Sequence, residues 1–185
     1  MKRIFTLLLI ILASAQFAAG QRELKGPRVP PSTLNPYKGF ANITELSYGF
    51  GLAKTDEQFA KYQFGITTVN GYQINRFFIV GGGTGLMFYN DGFLLPLYMS
   101  GRFSYPTVNS RFSWYINADA GTLLNFENFD GGTMLFVNPL AGVRYTITGT
   151  LALNLGVGLF VENGSEVNRD SFVNLKLGVI FIPQH

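Results

Sequence analysis

From Gly39 to Ile182 the chain alternates bulky apolar residues with small or polar ones at a period of two, in eight stretches broken by turn-forming residues. Successive side chains of a strand leave opposite faces, so this period predicts β-strands. The first, Gly39 to Leu52, carries Phe40, Leu46, Tyr48, Phe50 and Leu52 on one parity, with Asn42 and Thr44 as polar exceptions. Ala41, Ile43, Glu45, Ser47 and the glycines fall on the other. The second, Ala60 to Gln73, sets Tyr62, Phe64 and Ile66 against Lys61, Gln63 and Thr67, and Ile74-Asn75-Arg76 turns the chain into a third, Phe77 to Tyr89, whose facing the pattern leaves open. Asn90-Asp91-Gly92 is a hairpin signal leading into Phe93 to Ser104.

In that fourth strand Leu95, Leu97, Met99 and Phe103 oppose Tyr98, Ser100 and Arg102. Phe112 to Leu124 sets Trp114, Ile116, Ala118 and Ala120 against Tyr115, Asn117, Asp119 and Gly121. Met134 to Tyr145 sets Leu135, Val137, Ala141 and Val143 against Asn138, Gly142 and Arg144, and its Pro139 implies a bulge or an unpaired amide. The seventh, Leu151 to Glu162, is the most regular, with Leu151, Leu153, Leu155, Val157, Leu159 and Val161 against Ala152, Asn154, Gly156, Gly158 and Glu162. Ser171 to Ile182 closes the series with Val173, Leu175, Leu177 and Val179 against Asn174, Lys176 and Gly178.

An even number of strands lets an antiparallel meander close on itself, and a lipid environment demands closure because unpaired amides cost several kcal/mol each there. Strands of this length suit a tilted crossing of about 9–11 residues. The fold expected is all-β: an eight-stranded antiparallel up-and-down transmembrane β-barrel over 39–182, followed by a tail over 183–185. The turns at 74–76, 105–111 and 146–150 then face one side, and the loops at 53–59, 90–92, 125–133 and 163–170 face the other, outer one.

Ahead of the barrel the pattern changes. Lys2 and Arg3, the greasy run Ile4 to Ala13, and Ala18-Ala19-Gly20 before Gln21 spell a cleavable signal peptide over 1–20. Residues 21–38 hold four of the eight prolines and no period, which predicts a flexible periplasmic lead-in. The leader takes two of the fourteen basic residues and none of the eleven acidic ones, so the remainder is almost neutral and carries no nucleic-acid signature. Only 14% of residues are charged, against about a quarter in soluble domains, which requires an unusually apolar surface. Cysteine is absent, excluding disulfides, thiol nucleophiles, thiolate zinc sites and a lipid on an amino-terminal cysteine.

Tyr37-Lys38-Gly39-Phe40, Tyr48-Gly49-Phe50-Gly51, Gly71-Tyr72-Gln73-Ile74-Asn75 with Phe77-Phe78-Ile79-Val80-Gly81-Gly82-Gly83, and Asn138-Pro139-Leu140-Ala141-Gly142-Val143-Arg144 resemble the small Gram-negative outer-membrane barrels grouped with OmpA and OmpX. The resemblance spans about Tyr37 to Ile182 and is architectural. It implies residence in the outer membrane, contact with its lipid, and assembly-machinery recognition aided by Phe181. Full-length OmpA proteins continue into a peptidoglycan-binding domain that is not expected here.

Seven ionisable residues, Glu45, Lys61, Arg102, Asp119, Arg144, Glu162 and Lys176, fall opposite the bulky apolar parity of their strands and are expected to form a charge network in the lumen. Glu45 and Lys176, both near mid-strand on strands that meet at closure, are the expected central pair. An eight-stranded barrel has room for little beyond its own side chains, which favours a plug over a pore. Phe126, Glu127, Phe129 and Asp130 in the third outer loop are candidate contact residues for a partner of unknown kind.

The only histidine, His185, sits at the chain end, and the Gly81–Gly85 run lacks the Lys-Ser or Lys-Thr of a phosphate loop. No catalytic, cofactor or metal site is expected. The function expected is structural, or interaction through loops, by a monomer. The alternatives are a narrow channel for ions or small solutes, and a lipid-modifying or ligand-binding barrel.

Overall fold

The computed structural model describes residues 38–52, 61–89, 92–106, 111–125, 133–163 and 169–183, with backbone alone at 106, 169 and 170. The leader, all of the lead-in but Lys38, and Phe126, Glu127, Phe129 and Asp130 lie outside these residues. Eight strands follow one another: β1 (Gly39–Gly51), β2 (Tyr62–Gln73), β3 (Phe78–Tyr89), β4 (Gly92–Pro106), β5 (Phe112–Asn125), β6 (Met134–Thr146), β7 (Leu151–Asn163) and β8 (Arg169–Phe181). Each pairs antiparallel with its successor, and β1 pairs with β8 from Asn42↔Phe181 to Gly51↔Phe172 to close the barrel. No described helix is long and apolar enough to cross a membrane.

Local chemistry explains the turns. Between β2 and β3, the Asn75 side-chain oxygen accepts from the backbone amides of Phe77 at 2.8 Å and Phe78 at 2.9 Å, an Asx-type turn that reverses the chain without a glycine. Between β6 and β7 the Thr148 hydroxyl accepts from the Leu151 amide at 3.1 Å, the weaker hydroxyl version. At the other end Tyr89 pairs directly with Gly92 across the Asn-Asp step.

Pro139 produces no bulge. The β5–β6 register runs unbroken through Ala118↔Pro139, and the β6–β7 register resumes in step at Leu140↔Gly158 after Val137↔Val161, so only the pairing of Asn138 and Pro139 towards β7 is missing. Pro96 does the same in β4: it pairs with Leu123 of β5, while the ladder to β3 lapses between Thr84↔Leu97 and Met87↔Leu94. A proline in a closed sheet thus costs a local gap and leaves the facing of every other side chain intact.

Outward-facing Leu, Val, Ile, Phe, Tyr and Trp form a largely apolar exterior, with Leu155 46%, Val157 55% and Leu177 54% exposed at mid-strand. The interior is filled by the opposite parity. On β3 that parity is Ile79, Gly81, Gly83, Gly85 and Met87. The glycines admit large neighbours: a Cβ on Gly83 would collide with the Tyr98 ring, and one on Gly156 would stand 2.5 Å from the Tyr115 hydroxyl. Gly82, facing outward, has nothing within 4 Å of that position. Gly83→Ala is therefore expected to destabilise the barrel by about 1–3 kcal/mol. Gly82→Ala should change stability by less than about 0.5 kcal/mol. Urea unfolding in detergent micelles measures both, and equal effects would contradict the assigned facing of β3.

Candidate functional site: a polar lumen

Strand parity brings Glu45 from β1, Arg102 from β4, Asp119 from β5 and Lys176 from β8 together at mid-height, all at most 4% exposed. Arg102 Nη2 lies 2.5 Å from Glu45 Oε1. Lys176 Nζ bridges both anions, 2.7 Å from Asp119 Oδ2 and 3.3 Å from Glu45 Oε2. Glu45 and Lys176 each touch two partners of opposite sign, and two cations balance two anions. Charges at this depth are tolerable only when paired and hydrogen-bonded, and polar neighbours supply further bonds.

Those neighbours are mostly asparagines. Asn154 Nδ2 donates to Glu45 Oε1 at 2.6 Å, and Asn117 Nδ2 to Asp119 Oδ1 at 2.7 Å, while Asn117 Oδ1 accepts from Ser100 Oγ at 3.2 Å. An amide offers both a donor and an acceptor, so it can stand between a cation and an anion without adding charge. The guanidinium of Arg102 also lies 4.5 Å from the Tyr115 ring centroid, where the ring face attracts it. Gly178 on β8 leaves the space Glu45 needs, since a Cβ there would sit 2.6 Å from Glu45 Cγ.

Three residues expected in this network stand apart from it. Lys61 is exposed, because β2 begins one residue later and its side chain lies beyond the paired strands. Arg144 is half-buried beside its register partners Ser113 and Asn154 and makes no ion pair among the described residues. Glu162 is buried near the outer end of β7, accepting from the Tyr89 hydroxyl at 2.9 Å, well away from mid-height. Parity settles whether a side chain enters the lumen; height along the strand settles which partner it meets.

Buried apolar residues lie towards both ends of the lumen. At the turn end Ala41, Ile43, Val69, Ile79, Ala152 and Ile180 pack together, and at the loop end Phe136, Phe160 and Phe172 meet Met87, Leu123 and the Tyr98 ring. Phe136 and Phe160 stack with centroids 5.0 Å apart, and Tyr98 meets Phe136 edge-on at 5.7 Å. A cavity of about 10 Å³ remains between these aromatics and the Asp119–Lys176 pair, room for at most one water. Sequence reasoning missed the three phenylalanines, although each is a bulky apolar residue on the inward parity close to the loop end of its strand.

An apolar exterior around a polar interior marks a transmembrane β-barrel, and the chain has the fold of the small eight-stranded outer-membrane barrels. It is similar to Neisserial surface protein A, whose crystal structure aligns over 79% of this chain and 99% of that one, with a TM-score of 0.61 and 16% identity. A more distant likeness is to the outer membrane protein OprG from Pseudomonas aeruginosa, at a TM-score of 0.48 and 12% identity over 80% of this chain and 97% of that one. No family model matches the chain. No curated protein sequence matches it either.

Proposed function

We propose that this protein resides in the outer membrane as a plugged barrel whose role is structural or is carried by its outer loops. The observation that supports this reading is the stack of three layers in the lumen: apolar, ion-paired, aromatic. A permeating ion would have to pass the buried apolar side chains towards each end and displace a balanced set of charges between them. Residence in the outer membrane follows from the leader expected over 1–20 together with the barrel fold, since a chain exported in this way and carrying spanning strands has that membrane as its destination. The reading assigns no reaction and no resident ligand.

Conductance across planar bilayers tests it. Purified protein is expected to produce no discrete current steps, and Phe136→Ala combined with Phe160→Ala is expected to leave conductance at baseline because the ion-paired layer still blocks the path. Wild-type steps that vanish when Arg102 and Arg144 are neutralised would replace this reading with that of a narrow channel.

A further inference from the structure

Among the described residues, the exposed charges at the turn end of the barrel are all positive. Lys38 leads into β1, Arg76 lies in the turn between β2 and β3, and Arg111 leads into β5. The sequence places no aspartate or glutamate in the turns 74–77, 106–111 and 147–150, so no neighbour in those turns offsets the three cations.

Outward aromatic rings stand directly beside them. Phe40 pairs with Tyr72, Phe78 with Phe103, and Tyr105 with Trp114 across neighbouring strands. Phe40, Phe78 and Trp114 are two, two and three residues from Lys38, Arg76 and Arg111. Arg76 is held against these rings: its guanidinium carbon lies 4.5 Å from the Phe77 centroid, and Phe77 and Phe78 both meet Phe103, at 5.9 and 4.9 Å. In membrane barrels such rings sit at the boundary between acyl chains and headgroups. A long basic side chain just beyond them keeps its stem on apolar surface and its charge among the headgroups.

We propose that Lys38, Arg76 and Arg111 bind the headgroup phosphates of anionic phospholipids in the leaflet on the turn side, so that the barrel selects these lipids as its neighbours there. The proposal rests on the membrane reading above. Arginine and lysine donate charge-assisted hydrogen bonds to phosphate, and a phosphate without a balancing cation in its own headgroup gains most from them. A compact soluble anion would need convergent donors, whereas these three are spread along the rim from β1 to β5, an arrangement that suits separate lipid molecules. The belt of rings fixes the depth at which the anion is met, and at that depth the phosphates belong to lipid.

Trp114 is the only tryptophan and is 70% exposed beside Arg111, which makes it a built-in reporter of the adjacent lipid. The protein is reconstituted in phosphatidylcholine vesicles containing equal shares of either phosphatidylcholine or phosphatidylglycerol brominated in its acyl chains, and quenching of Trp114 fluorescence gives the relative occupancy of the neighbouring site. Phosphatidylglycerol is expected to be preferred about fivefold, the factor one basic side chain near an anionic surface contributes. Arg111→Gln should bring the ratio to unity and Arg111→Lys should keep it, while Lys38→Gln with Arg76→Gln should leave it unchanged at Trp114. Moving the reporter with Trp114→Phe and Tyr72→Trp should restore a preference that Lys38→Gln with Arg76→Gln then abolishes. Equal quenching by the two lipids in the unaltered protein, a preference that survives Arg111→Gln, or one lost at Trp114 with Lys38 and Arg76 alone would overturn the proposal. Quenching by neither lipid would sink the membrane reading as well, whereas equal quenching by both sinks headgroup selection alone.

Discussion

Glu45→Gln is expected to cost about 3–5 kcal/mol of folding stability, the range for removing one partner from a buried ion pair. Glu45 faces Arg102 and Lys176 together, so its neutralisation leaves two buried cations with the single carboxylate Asp119. The amide would still accept from Asn154 but could not offset Arg102. Combining Glu45→Gln with Arg102→Met restores neutrality, because the remaining Lys176–Asp119 pair keeps its 2.7 Å contact. The double variant should therefore be more stable than the sum of the single effects by about 0.5–3 kcal/mol. Reversible urea unfolding in lipid vesicles measures this coupling. Strict additivity would show that charge balance does not govern the lumen.

Val157→Arg is expected to destabilise the barrel by about 2–4 kcal/mol in vesicles, the range for a cation on the lipid face at the bilayer midplane. Val157 is outward and 55% exposed at the centre of β7, whereas Asn163 ends the same strand and is also exposed. Asn163→Arg should cost less than about 1 kcal/mol, because the penalty fades towards the interface. The contrast between two exposed positions of one strand isolates depth in the bilayer. If both substitutions were neutral, the exterior of this barrel would face water, and the membrane reading would fail.

Much of this architecture was legible because a strand writes its two faces into alternate residues. Leu151 to Val161 leaves no ambiguity: six bulky aliphatics on one parity could not all enter a narrow lumen already holding Asn154 and Glu162. Where side-chain size stops differing, the signal fails, as in β3, where Gly81, Gly83 and Gly85 face inward and Gly82 outward. Lys61 was misplaced for a related reason: alternation continues past the last paired residue, and nothing in the pattern marks where the ladder ends. The pairing of Arg102 with Glu45 could not be read at all, since β4 and β1 are not neighbours and their residues meet only across the barrel interior.

The even balance of Glu45 and Asp119 against Arg102 and Lys176 also fixes how this mid-height layer responds to voltage. Each unpaired charge carried through a membrane potential exchanges about 2.3 kcal/mol per 100 mV with the field. Two opposite pairs sharing one height exchange almost nothing. The mid-height layer can enter, cross or rest in a polarised bilayer without electrical work, so an applied potential gives it no preferred direction and no gating force.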